Sequence, residues 1–134
     1  MIKNYELSKK LRNKYELKEN QCIYNSFKLC LHEKLDLCIG FIEDKNKKIY
    51  LIHIWNIYKD KIIDSTLPDN KDKYNYIEIV KSSYKNSIKK NLSGSNNILK
   101  FIMNKFTILY PNYIYGFEDI LYNNFIKTGK KSSS

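Results

Sequence analysis

Cysteine is scarce in this chain: three residues in 134, an odd number. A disulfide framework is not expected at this length and count. Long apolar runs are missing as well. No stretch approaches the roughly 20 residues needed to span a bilayer, and no apolar run follows a basic start as in a secretory leader. Together these absences predict a reduced, cytoplasmic setting with no membrane partner. There is also no Arg-rich stripe, no nucleic-acid signature and no internal repeat.

What is present is one domain's worth of sequence with a real core. Hydrophobic residues make up 43%, and there are 12 Tyr against one Trp. The heavy use of Ile, Asn and Lys reads as biased coding, which bears on the charge. Lys and Arg number 24 against 14 Asp and Glu, a net charge of +10. Lysines such as Lys9, Lys10, Lys47, Lys48, Lys89, Lys90, Lys130 and Lys131 are scattered, so the charge is a solubility property first. A nucleic-acid partner is not favoured over a protein, peptide or small amide substrate.

Along the chain, Leu7, Leu11 and Tyr15 at four-residue spacing predict an amphipathic helix within 1–18. Asn20 is a candidate N-cap. A second helix is expected from Gln21 to Lys34, with Ile23, Phe27, Cys30 and Leu31 on its stripe and Cys22 in its first turn. Leu35–Asp44 predicts a strand. Tyr76, Ile77, Val80, Tyr84 and Ile88 predict a helix over 74–92, and a further helix is expected over 97–109, ending before Pro111. Residues 113–116 are a short strand or loop, 117–127 a last helix, and 129–134 a disordered tail. The expected domain is 1–128.

The organising stretch is Lys47–Pro68, KKIYLIHIWNIYKDKIIDSTLP. Strict alternation from Ile49 to Tyr58 predicts a strand apolar on both faces. Lys59-Asp60 is the turn, and residues 61–66 return. His53 and Asp64 interrupt the apolar pattern. With a two-residue loop Asp64 falls opposite Trp55, one diagonal step from His53 on the same face. A carboxylate that orients an imidazole is half of a nucleophilic triad, and Cys22, at a helix start, is the candidate nucleophile. Helix N-termini and nearby imidazolium both favour a thiolate. The Cys22 backbone N–H, with Gln21 or Asn20, is a candidate oxyanion donor. Trp55 is grouped with them as a candidate substrate-binding residue.

QCIYNSFKL followed by HIWNIYKDKIIDSTLP resembles the core of the transglutaminase-like branch of papain-like cysteine enzymes. That pattern has a Cys opening a helix, a His-x-Trp strand, and an Asp-Pro-Thr-like turn, matched here by Cys22, His53 with Trp55, and Asp64 with Thr66. The resemblance covers about residues 17–68. It departs at Ile23, where the family often has an aromatic, and at Ser65, which replaces Pro. It implies a Cys22–His53–Asp64 triad acting in acyl transfer or hydrolysis on a peptide or glutamine-type amide, without a cofactor.

The expected architecture is α+β, a Cys-bearing helix on a small antiparallel sheet (residues 35–44, 48–58 and 61–66) with extra C-terminal helices. Competing readings are a decayed enzyme of the same fold, and a binding or inhibitor protein that uses the basic surface. A zinc site from Cys30, His32, Cys38 and His53 does not fit finger or ribbon spacings. Cys30 and Cys38 read as core residues and His32 as a solvated helix end. Tyr110, Tyr113 and Tyr115 could stack bases but read as core and rim.

Overall fold

Two hydrophobic periods alternate along the chain, and the fold follows them. In the computed structural model, residues 2–19, 21–46, 49–68, 73–93 and Lys100 are described. The elements are β1 (Ile2–Lys3), α1 (Tyr5–Lys14), α2 (Cys22–Glu33), β2 (Asp36–Asp44), β3 (Ile49–Tyr58), β4 (Lys61–Ile63), β5 (Tyr74–Ser82) and α3 (Tyr84–Lys89). The class is mixed α+β. Apart from Lys100, the helix expected over 97–109 lies outside the described residues, as do the helix expected over 117–127, the segment 113–116, the tail and Asn20.

The five strands form one sheet in the order β1-β4-β3-β2-β5. All pairings are antiparallel except β1 with β4. The β3–β4 hairpin closes over Lys59 and Asp60, both at positive φ (48° and 60°). That is the two-residue geometry whose twist matches the flanking strands. Ile63 opposite Asn56 is the last paired residue of β4, so Asp64 leaves the ladder beside Trp55. The return strand is therefore shorter than the expected 61–66, because Asp64 turns the chain with its own side chain. Its Oδ1 accepts from the backbone N–H of Thr66 and Leu67, each at 3.2 Å.

The segment 74–92 is not the single helix its spacing predicts. It forms a nine-residue edge strand and then a short helix. β5 pairs along β2, and the register slips between Ile39 and Gly40. A bulge inserts one residue and shifts the side-chain phase by one. That shift puts Ile77 and Val80, three residues apart, on one face of β5, while Tyr84 belongs to the helix that follows. Gly40 makes the bulge possible. A Cβ there would meet the Ile77 carbonyl oxygen at 2.0 Å and the Trp55 ring at 2.9 Å.

The two faces of the sheet bury separate cores. Leu37, Ile39 and Ile54 pack with Cys30 of α2 and Leu92. Cys38, Ile42, Trp55, Ile57 and Ile62 form the opposite face, with Leu67, Tyr74 and Tyr76 against them. A third cluster, Leu11, Leu17, Leu29, Leu35 and Ile63, joins α1 to α2. The sheet is curled: Lys3 of β1 and Tyr76 of β5 stand at opposite ends of the strand order, yet the Lys3 ammonium lies 5.5 Å from the Tyr76 ring centroid.

α2 is set against β3 by polar contacts. Asn56 Nδ2 donates to the carbonyls of Ser26 (3.0 Å) and Asp36 (3.3 Å), and Ser26 Oγ donates to the Ile54 carbonyl (3.2 Å). Because β4 covers only Asn56–Tyr58, the rest of that margin of β3 has no strand partner among the described residues. The start of α2 and the chain leaving β4 converge there, and Asn25 Nδ2 donates to Thr66 Oγ1 at 3.0 Å.

Candidate active site

His53 and Asp64 meet inside the curl. Nε2 of His53 lies 2.9 Å from Oδ2 of Asp64, and the two residues are 5% and 1% exposed. A charge placed there without partners would be strongly disfavoured. The Asp64 carboxylate has four. Oδ1 takes the two turn amides, and Oδ2 takes His53 and the Tyr76 hydroxyl at 2.7 Å. Burial pushes its pKa up, but the charge and hydrogen bond of His53, the Tyr76 hydroxyl and the Lys3 charge outweigh that and hold it low. His53 shows the mirror balance. Burial opposes the imidazolium, and Asp64, then the nearby Cys22, raise its pKa above the ordinary histidine range.

Cys22 is the first residue of α2 and is half-buried. Cys22 is one of the groups that act on the His53 ring, after Asp64. Since Nε2 is taken by Asp64, Nδ1 is the nitrogen left for the thiol. Cys30 and Cys38 are fully buried. Burial pushes the Cys30 thiol up to about 12 and raises Cys38 further, with Glu78 adding to the latter.

The other expected residues fall as follows. Gln21 is the N-cap residue of α2, without a side-chain cap. Asn20 is outside the described residues. Trp55 is 2% exposed. It stacks on His53 at 6.1 Å and meets Tyr76 edge-on at 5.1 Å, so it supports the imidazole from beneath. The candidate zinc residues occupy four separate surroundings. Cys30 lies against Asn56, Cys38 against Glu78, exposed His32 stacks on Tyr15, and His53 binds Asp64. Among the described residues no three metal-ligating side chains cluster, and no helix is long and apolar enough to cross a membrane.

Several residues around the site carried no sequence signal. Ser8 of α1 holds the Asp64 turn: its Oγ accepts from the Asp64 N–H and its carbonyl accepts from Ser65 Oγ, both at 3.0 Å. Arg12 donates to the Thr66 carbonyl at 3.0 Å, and Lys3 Nζ donates to the Leu67 carbonyl. Tyr76 was hidden by the bulge. Asn25 had one available clue, a polar residue on the buried side of α2 one turn after Cys22.

No family model, curated protein or solved structure matches this chain.

Proposed function

We propose that the protein is a cysteine-dependent acyl-transfer enzyme acting on a peptide or glutamine-type amide, with Cys22 as nucleophile, His53 as acid–base and Asp64 as the orienting group. The observation that carries this reading is the buried His53–Asp64 pair, joined by Cys22, a half-buried thiol at a helix start that acts on the same ring. Buried ion pairs are poor sources of stability, whereas a held imidazole next to an accessible thiol is what thiol acyl transfer requires.

In this reading Cys22 and His53 share one proton, carried on Nδ1 when the sulfur adds to the amide carbonyl carbon. The resulting oxyanion faces the N–H groups at the start of α2, with Gln21 as a further donor. The C–N bond breaks as His53 returns the proton to the leaving amine. Water or a second amine, deprotonated by His53, then adds to the thioester carbonyl; the C–S bond breaks, the acyl group leaves on the new nucleophile, and His53 holds the proton beside the released Cys22 sulfur. Asp64 stays ionised throughout, fixing the ring and its tautomer.

Alkylation tests this directly. Iodoacetamide at about pH 6.5, read by peptide mass spectrometry, should label Cys22 well before Cys30 and Cys38, and His53→Ala should slow that labelling. Alkylated protein should lose turnover of glutamine-peptide amides, whether scored as ammonia release or as amine incorporation. Labelling of Cys22 only on unfolding would remove the proposal and favour a binding role for the basic surface.

A further inference from the structure

The Tyr76 hydroxyl is not needed for packing. Phenylalanine would meet the edge of Trp55 equally well, yet the tyrosine oxygen is 2.7 Å from Asp64 Oδ2. That oxygen already accepts from His53 Nε2 at 2.9 Å, and Oδ1 is filled by two backbone amides. An ionised carboxylate has about four lone-pair sites. Here each is taken, by donors from the turn, from β3 and from β5.

The placement also ties Asp64 to the closure of the sheet. Tyr76 lies on one edge strand and Lys3 on the other. The Lys3 ammonium sits over the rings of Tyr76 and Tyr5, at 5.5 and 5.0 Å, and donates to Leu67, in the turn that Asp64 caps. We propose that Tyr76 is a positioning residue: its hydroxyl, backed by Lys3, holds Asp64 aimed at His53. The proposal rests on the acyl-transfer reading for its function, but its geometry stands without it. The titratable groups acting on this carboxylate or on its two partners are His53 from β3, Tyr76 and Tyr74 from β5, Lys3 from β1, Tyr5 from α1, and Cys22 from α2 through His53. Removing a donor to a carboxylate makes it easier to protonate. Loss of the Tyr76 hydroxyl therefore moves the acid limit of the His53–Asp64 pair upward.

The chain has two histidines, so histidine-selective NMR separates His53 from exposed His32, which serves as the internal reference. In Tyr76→Phe, the low-pH change in the His53 signals should move up by roughly one pH unit, a usual effect of one hydrogen bond to a carboxylate. His32 should not move. The acid limb of Cys22 alkylation should rise in parallel, with the plateau rate kept. Lys3→Met should shift both in the same direction and serves as the second variant if Tyr76→Phe fails to fold. Unmoved His53 signals in a folded variant overturn the proposal and leave the acyl-transfer reading standing. Shifted His53 signals beside a Cys22 that alkylates at no pH uphold the hold on Asp64 and remove the acyl-transfer reading instead.

Discussion

His53 Nε2 and Asp64 Oδ2 lie 2.9 Å apart in the interior, and each shifts the other's titration. The sign of the resulting pH dependence follows by linkage. The folded Asp64 pKa is lowered, so its contribution is complete above the unfolded value of about 3.9 and is lost as pH falls through the folded one. The folded His53 pKa is raised, so its contribution is complete below about 6.5 and fades as pH rises toward the folded value. Urea stability should therefore peak between about pH 4 and 6.5. In His53→Gln the decline above about pH 6.5 should vanish. A wild-type profile that rises steadily from pH 5 to about 8 would contradict the ion pair.

Asp64→Asn separates orientation from folding. Only an acceptor can face the Thr66 and Leu67 amides, so the amide oxygen must keep the Oδ1 place. The amide nitrogen then points at His53 and forces Nε2 to accept. The proton moves to Nδ1, the nitrogen left for Cys22, which can no longer take a proton from the thiol. Turnover should fall by about 10²- to 10⁴-fold, the scale of a wrong-tautomer defect, while the circular dichroism spectrum is retained. Loss of turnover below tenfold would show that Asp64 serves the turn alone.

Much of this arrangement was legible because local rules and the site share the same residues. The alternation from Ile49 to Tyr58 and the Lys59-Asp60 turn fix which face His53 occupies, and the step past Ile63 puts Asp64 within reach of it. Asp64 serves the turn with one oxygen and His53 with the other, so a residue type common at strand ends also carries the pairing. The site beyond that pair was not legible. Tyr76 reaches Asp64 because β5 adds to β2 and the sheet curls, and the bulge within β5 breaks the period that would identify the strand. Lys3 and Ser8 arrive through long-range closure of the sheet and packing of α1, which no spacing within their own segments encodes.

Gly40 should be intolerant of even the smallest side chain. It pairs with His53, and an added Cβ would lie 2.0 Å from the Ile77 carbonyl oxygen. Backbone cannot yield as a flexible side chain can. Gly40→Ala should cost about 3 kcal/mol, the upper part of the usual overpacking range, seen as a lower urea midpoint. It should also disturb the site, since the same Cβ presses on the Trp55 ring beneath His53. An alanine variant with native stability would mean that β5 does not approach β2 as described.

The distance from Cys22 to His53 depends on how α2 is pinned to β3, and Asn56 supplies the pin. Its side-chain nitrogen bridges the Ser26 carbonyl, one turn beyond Cys22, to the Asp36 carbonyl of β2. Asn56 is 1% exposed, so no water replaces the bridge without opening the core. Asn56→Ala strips the carbonyls of Ser26 and Asp36 of this donor and should cost about 1–3 kcal/mol. Asn56→Leu removes the same bonds while keeping volume, and its cost should lie at the low end of that range. Both variants free the start of α2 to shift along β3, so Cys22 alkylation at about pH 6.5 should slow in both, whatever their difference in stability. Equal alkylation rates in wild type and both variants, measured well below their unfolding midpoints, would show that other contacts, such as Ser26 to Ile54, set the position of the thiol.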